Sequence, residues 1–508
     1  MNVISTVLAF DLGASSGRAL IGQLIEDQGT RKLRVEEIHR FPNQAIQVGK
    51  HLHWDTLRLF QEMKEGIRKA FQAGYRPETL GIDTWGVDFG LLDANGEMIG
   101  NPYHYRDPHT EGLIEELNER FGAERLYEEG GLQFMPFNTI YQLTAMLKAN
   151  SPKLDMAKTL LLTPDLLAYF LTGVKVCEFT MATTTQLYHP LKQEWNTELM
   201  DALGIPSHLF LDPIHPGTRV GTLTEDIQKE LDVPAMDVIA VGTHDTESAI
   251  AAVPAKSDSF AYLVCGTWSL LGTEQQKPIV SREAMELSFS NEGGVGNRYQ
   301  LLKNIMGLWI VQECKRDWDA QGKVFSFAEL AKLAESAAGL QSIINPDDAR
   351  FFAPGDMPEK VQSFCRETGQ PVPETEGAII RVVLDSLALC YRHELTRTEQ
   401  LTGQSYDGLH MVGGGIQNTL LCQLTANALQ RPVWTGPIEG SAIGNMTVQW
   451  MAQGHCSSLE EARQLVLDSF PIDTLHPEEG EQSSWDAAYE RFTGLLHAKS
   501  QVACDASS

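Results

Sequence analysis

The sequence predicts an α/β protein built from two related halves, and three observations carry that reading. Apolar, strand-like runs alternate with helical periodicity along the chain. Two of the strands end in turns of small residues, at 11–17 and 265–269. A chain of 508 residues is also longer than one ordinary core organises. The boundary is expected near residue 250, which gives an N-terminal domain over 1–250 and a C-terminal domain over 251–497, with a central cleft between them. The polar tail, 498–508, is expected to be disordered.

The first half opens with Val7-Leu8-Ala9-Phe10-Asp11, a loop through Gly17, and a second apolar run to Leu24. Two strands around a tight loop make a hairpin, not the strand–loop–helix of a dinucleotide fold. A second strand–turn–strand unit is expected over 80–92, closed by a turn at Asp93-Ala94-Asn95-Gly96. Helical periodicity marks 54–71, 111–121 and 138–148. A strand over 238–241 then leads into Gly242-Thr243-His244-Asp245-Thr246 and a helix over 247–252. The second half starts with a strand over 261–264 and its turn, Cys265-Gly266-Thr267-Trp268-Ser269. A helix-like run follows over 303–314. A strand over 409–412 ends in Gly413-Gly414-Gly415, ahead of a helix over 419–429.

Composition excludes several partners. A formal net charge of −27 repels nucleic acid and anionic membrane alike. The eight cysteines never fall in Cys-x-x-Cys spacing, which speaks against a zinc site or redox dithiol and for buried free thiols in a reducing cytoplasm. The N-terminal apolar run meets Asp11 too early for a signal segment, and the apolar stretch 159–173 carries Pro164 and Asp165 and is too short to span a bilayer. Small molecules are therefore the expected partners of a monomer or small homo-oligomer.

Small residues in a strand turn let backbone N–H groups close around an anion. Ala14, Ser15, Ser16 and Gly17, with Arg18 adding a cation, suit a phosphate. Taken alone, the same turn is equally an ordinary hairpin. Asp11, at the strand end, could hold hydrated Mg²⁺ beside that phosphate. No Gly-x-x-x-x-Gly-Lys-Ser/Thr motif offers a P-loop instead. Asp245 reads either as a helix N-cap or as a proton acceptor, and the two are compatible, since a helix dipole keeps such a carboxylate ionised. Gly266-Thr267 makes a second phosphate turn. Asn304 and Gln312 lie eight apart on the expected helix, on roughly one side, although each could equally be a solvated helix position. Gly414, within three glycines, lets a flat purine lie against backbone, whereas the alternative is a mobile linker.

These residues resemble the FGGY family of carbohydrate kinases over nearly the whole chain. The matching stretches are residues 11–18, 81–89, 243–246, 266–270, 291–294 and 303–309, and Gly413-Gly414-Gly415 with Asn418. Seven in the right order are specific. Ala14 and Ser15 after Gly13, and Thr84-Trp85-Gly86-Val87-Asp88, resemble the branch that acts on L-rhamnulose.

The resemblance implies two actin-like (ribonuclease H-like) ATPase domains and ATP-dependent phosphorylation of L-rhamnulose at its 1-hydroxyl, as in L-rhamnose catabolism. L-fuculose, L-ribulose and D-xylulose are the alternative substrates, and an actin-like ATPase acting on a protein partner is a remote one. It also implies Asp245 as proton acceptor, with Gly86, His244, Thr246 and Asn304 on the sugar. Residues Ala14, Ser15, Ser16, Gly17, Arg18, Thr267, Gln312 and Gly414 are implied on ATP, and Mg²⁺ near Asp11 through water. One departure stands out: the pattern of the branch that acts on L-rhamnulose has arginine, after Tyr105-Arg106-Asp107, where this chain has His109.

Overall fold

The computed structural model describes residues 2–257 and 259–505, with side chains through residue 496. The tail 498–508 lies outside the residues described in full. The chain forms two compact units. The first comprises Met1–Lys256, Glu274–Leu301 and Glu439–Phe470; the second comprises Ser257–Thr273, Leu302–Ile438 and Pro471–Ser508. The chain first passes to the second unit after Lys256, and two later segments return to the first unit.

The first unit is organised by strands β1 (Asn2–Leu12), β2 (Ser16–Asp27), β3 (Thr30–Pro42), β4 (Thr79–Thr84), β5 (Arg219–Thr222) and β6 (Asp237–Ile239), side by side in the order β5-β6-β4-β1-β2-β3. β1, β2 and β3 form an antiparallel meander, β4 and β6 run parallel to β1, and β5 closes the edge antiparallel to β6. The stretch Val7–Phe10 of β1 reads as an unbroken apolar run because both of its faces are covered. Leu8, Phe10 and Leu12 pack with Leu59, Met63 and Ile67 of the helix Thr56–Gln72. Val7 and Ala9 pack with Ala442, Met446 and Trp450 of the helix Gly440–Ala452.

That second helix also lies hard against the helix Asp245–Ala251. A Cβ on Gly444 would stand 1.7 Å from the backbone oxygen of Ser248. Since backbone cannot swing aside as a side chain can, Gly444→Ala should cost at least about 1–3 kcal/mol of stability. A fall in the urea midpoint at unchanged slope checks this.

The second unit repeats the plan with β7 (Ala261–Cys265), β8 (Trp268–Gln275), β9 (Tyr299–Met306), β10 (Leu409–Val412), β11 (Val433–Thr435) and β12 (Asp473–Leu475). Their order is β9-β8-β7-β10-β11-β12, and a seventh strand, Ser290–Gly293, lies beyond β9 in the same sheet. β7 is antiparallel to β8 and parallel to β10, β10 is parallel to β11, and β12 is again an antiparallel edge. One apolar cluster gathers Leu263 of β7, Ile310 of the helix Trp309–Ala320, Leu384 and Leu387 of the helix Glu376–Thr402, and Leu421 of the helix Thr419–Leu429. Cys177, Cys265, Cys314, Cys365, Cys390, Cys422 and Cys456 are buried free thiols. Among the described residues, no helix is long and apolar enough to cross a membrane.

Two expectations are corrected. Residues 80–92 are not one hairpin: β4 joins the main sheet, whereas Phe89–Leu92 pairs with Thr159–Leu162 in a separate ribbon. Asn304 is not on a helix with Gln312. It lies on β9, and the helix starts only at Trp309. The break is at Gly307, where any Cβ would meet Ser269 Oγ and Trp268 backbone at 2.7 Å, so the chain must turn tightly there.

Candidate active site

On the first unit the site grows from the ends of three parallel strands. Asp11 ends β1 opposite Asp83 of β4 in register, and Thr84 is bridged to His244, just ahead of the helix Asp245–Ala251. Three carboxylates thus converge. Asp83 is fully buried. Its Oδ2 accepts from Asn445 Nδ2 at 2.6 Å, while its Oδ1 has no hydrogen-bond partner. Burial, reinforced by the charge of Asp11, pushes the Asp83 carboxyl well above its usual range.

Asp245 is the first residue of its helix, and the N-cap position belongs to His244. The expected cap is therefore displaced by one residue, and the Thr246 N–H donates to Asp245 Oδ1 at 2.7 Å. Burial pushes the Asp245 carboxyl up to about 6, against the pull of His244; the expected dipole effect does not prevail, because desolvation outweighs it. The side chain keeps 29% of its surface exposed, enough to be reached. Thr246 is buried beside it.

The hairpin turn at 13–16 is tied down by a residue from after β3. Asn43 Nδ2 donates to the Gly13 carbonyl at 2.9 Å, its own N–H donates to the Ser15 carbonyl at 3.0 Å, and the Gly13 N–H meets Ser16 O at 2.9 Å. With its carbonyls pinned, the turn has a fixed set of peptide planes, as an anion nest requires. Arg18 bridges Asp11 and Glu439. Burial opposes its charge, but these two carboxylates more than offset it and hold the guanidinium charged.

A glycine sits where the sugar side is expected. A Cβ on Gly86 would approach Thr184 at 3.2 Å and His244 Nε2 at 3.4 Å. The next residue, Val87, has φ 67°, a costly conformation for a β-branched side chain. It is held there by Thr184 Oγ1, which accepts its N–H at 3.1 Å, and by the Thr139 hydroxyl, which donates to its carbonyl at 2.6 Å.

Behind this turn Trp54 and Trp85 stack with centroids 3.9 Å apart, and both indoles donate to Asp88 Oδ2, at 2.5 and 3.0 Å. Gln142 and the Tyr105 N–H complete the ring of donors at 2.8 and 3.2 Å. Removing that carboxylate strands several buried donors at about 1–3 kcal/mol each. Asp88→Ala should therefore lower stability by about 3 kcal/mol or more and shift tryptophan emission, which denaturant titration followed by fluorescence checks.

His109, the departure from the pattern of the L-rhamnulose branch, is turned onto Asp107, with Nδ1 2.7 Å from its Oδ1. Asp107 also faces His51 Nδ1 at 3.1 Å and accepts the Leu52 N–H at 2.6 Å. Burial lowers the His109 pKa in spite of Asp107, so the side chain offers no fixed cation where an arginine would.

On the second unit, Gly266 and Thr267 are stitched to the start of the helix Trp309–Ala320. The Leu308 and Trp309 N–H groups donate to Gly266 O and Thr267 O at 3.0 and 3.1 Å, and the Thr267 hydroxyl reaches Gln312 Oε1 at 3.3 Å. Thr267 and Gln312 are thereby brought together. The three glycines divide their work. Gly413 (φ 91°) and Gly415 press on Cys265, where added Cβ atoms would come to 3.0 and 2.4 Å, while Gly414 faces no atom within 4 Å. The segment is an ordered 3-10 turn, Gly414–Gln417, followed by Asn418 capping the next helix, not a mobile linker.

Sequence reasoning missed four supports: Asn43, Asp83, Glu178 and Asn445. Only Asp83 left a signal, since Ile82-Asp83 repeats the Phe10-Asp11 pattern of an apolar strand ending in aspartate. Glu178 Oε2 holds the loop ahead of Asp245, accepting from Thr180 N–H at 2.9 Å and from the Thr243 hydroxyl at 2.6 Å.

Known proteins match this architecture. A model of the N-terminal domain of the FGGY family of carbohydrate kinases matches residues 6–252, and the C-terminal domain model matches 261–453. The chain is 43% identical over 488 residues to a rhamnulokinase of Bacteroides thetaiotaomicron, covering 96% of this chain and 99% of that protein. It is 41% identical to a rhamnulokinase of Halalkalibacterium halodurans, covering 92% and 97%. Among solved structures, a ligand-bound xylulose kinase from Lactobacillus acidophilus superposes with a TM-score of 0.80 at 16% identity, covering 97% of this chain and 98% of that one. Plasmodium falciparum glycerol kinase with ADP gives 0.75 at 14%, with the same coverage. The fold is the expected two-domain actin-like α/β fold.

Proposed function

The chain belongs to the FGGY family of carbohydrate kinases, and we propose that it transfers the γ-phosphoryl group of ATP to the 1-hydroxyl of L-rhamnulose, giving L-rhamnulose 1-phosphate and ADP. The observation that carries the choice of sugar is the likeness, along nearly full length, to relatives named rhamnulokinase at 41–43% identity. A cytoplasmic place in L-rhamnose breakdown accords with the buried free thiols.

Phosphoryl transfer asks a protein for in-line positioning, charge neutralisation and one proton acceptor. Asp245 is that acceptor in this reading, because it is an accessible carboxylate at a helix start beside Gly86 and His244. Gly86, His244, Thr246 and Asn304 are assigned to the sugar. Ala14, Ser15, Ser16, Gly17 and Arg18 are assigned to the phosphates of ATP, as are Thr267, Gln312 and Gly414 on the second unit to the nucleotide. The residues around Asp11 fit a hydrated Mg²⁺: Asp11 is only 6% exposed, and the orphaned Oδ1 of Asp83 lies on the neighbouring strand. Such an ion would neutralise charge on the phosphates.

A coupled ADP-release assay across L-rhamnulose, L-fuculose, L-ribulose and D-xylulose tests the reading. The highest kcat/KM is expected with L-rhamnulose. Equal stimulation by all four would defeat the choice of sugar, and peptide-stimulated ATPase activity with no response to any sugar would favour a protein partner instead.

A further inference from the structure

We propose that His244, Glu247 and Glu292 form a binding site for one divalent cation of the zinc–manganese class, distinct from any ion carried by the nucleotide. One ligand atom of each lies within 4.8 Å of the others, and all three side chains are buried. His244 and Glu247 stand three apart at the start of one helix, so they share a face, and an imidazole with a carboxylate at that spacing is a recurrent metal-binding pair. Glu292 comes from the strand Ser290–Gly293, which is fixed by the Gly293 N–H donating to Thr183 Oγ1 at 2.8 Å.

The polar atoms at this place lack a full set of well-aligned hydrogen bonds. Glu247 is 1% exposed, with the Gln300 side chain as its neighbour. His244 Nδ1 and Glu292 Oε2 face each other at 3.0 Å. That separation is what two ligands about 2.1 Å from a common ion would show. Two carboxylates and an imidazole that releases its proton on binding would balance a divalent charge. The neighbouring guanidinium of Arg463 is already taken by Glu274 at 2.7 Å.

A ligated Nδ1 would leave the proton of His244 on Nε2, which lies 3.6 Å from Asp245 Oδ1. The ion would then fix the tautomer beside the proposed proton acceptor. Binding itself does not rest on the proposed reaction, so the test is read without ATP or sugar.

Full-length protein stripped with a chelator should be dialysed against Zn²⁺ or Mn²⁺ and its metal content measured by mass spectrometry. About one equivalent is expected, weakened on the order of 100-fold or more in Glu247→Gln, since loss even of an outer-shell partner weakens such sites 10–100-fold. Asp11→Asn should keep the equivalent. Anomalous diffraction from metal-soaked wild-type crystals should place the ion at His244 Nδ1, which keeps the test independent of how well the variant folds. Substoichiometric binding of both metals by the wild type, unchanged binding in Glu247→Gln, or an anomalous peak at Asp11 instead would overturn the proposal.

Discussion

Replacing Asp245 by asparagine should lower kcat for sugar phosphorylation by on the order of 10²–10⁴, the range lost with a general base. Asparagine keeps the size and the contact with the Thr246 N–H, which needs only an acceptor oxygen, and removes only the ability to take a proton. The nucleotide contacts assigned to the hairpin turn and to Thr267 and Gln312 involve other residues, so ATP affinity should stay within a few-fold. This split, with kcat down and ATP binding kept, separates a proton acceptor from a structural carboxylate. Steady-state kinetics with calorimetric ATP titration checks it, and near-normal turnover in the variant would remove the role.

Arg18→Ala should raise the apparent KM for ATP by roughly 10- to 100-fold, which is what about 1.5–3 kcal/mol of charged hydrogen bonding represents. The guanidinium lies where the phosphate turn meets β2, and it is also the cation that bridges Asp11 and Glu439. Its loss leaves Asp11 and Asp83 without that neutralising neighbour. The penalty therefore has two sources, lost attraction for phosphate and added repulsion from the bare carboxylates. Arg18→Lys should recover part of it, because an ammonium restores charge but not the planar fork. An unchanged KM for ATP in Arg18→Ala would contradict the assignment.

The elements that were legible in the sequence are those whose pattern is local. The strand Leu409–Val412 and the helix Thr419–Leu429 fall where the apolar runs place them, because each is bounded by turn residues. The repeated motif of strand, small-residue turn and strand at the start of each half is the first hairpin of each of two sheets that share one order over six strands. Lys303-Asn304-Ile305-Met306 suits a helix as well as a strand, and only the packing of Gly307 against Ser269 decides between them.

The supports of the site were illegible for a different reason. Asn43, Glu178 and Asn445 reach Gly13, Thr243 and Asp83 from 30 to 362 positions away, and nothing beside them in the chain marks those contacts. Trp85 and Asp88 are buried, and Gly86 is left beside His244.

The most direct test is to determine where phosphate goes when L-rhamnulose and ATP are mixed with the protein and Mg²⁺, by phosphorus–carbon coupling in the NMR spectrum of the product. The expected result is a single phosphomonoester coupled to carbon 1, formed in step with ADP and abolished in Asp245→Asn. ADP appearing with no sugar phosphate, or a phosphate on any other carbon, would contradict the account.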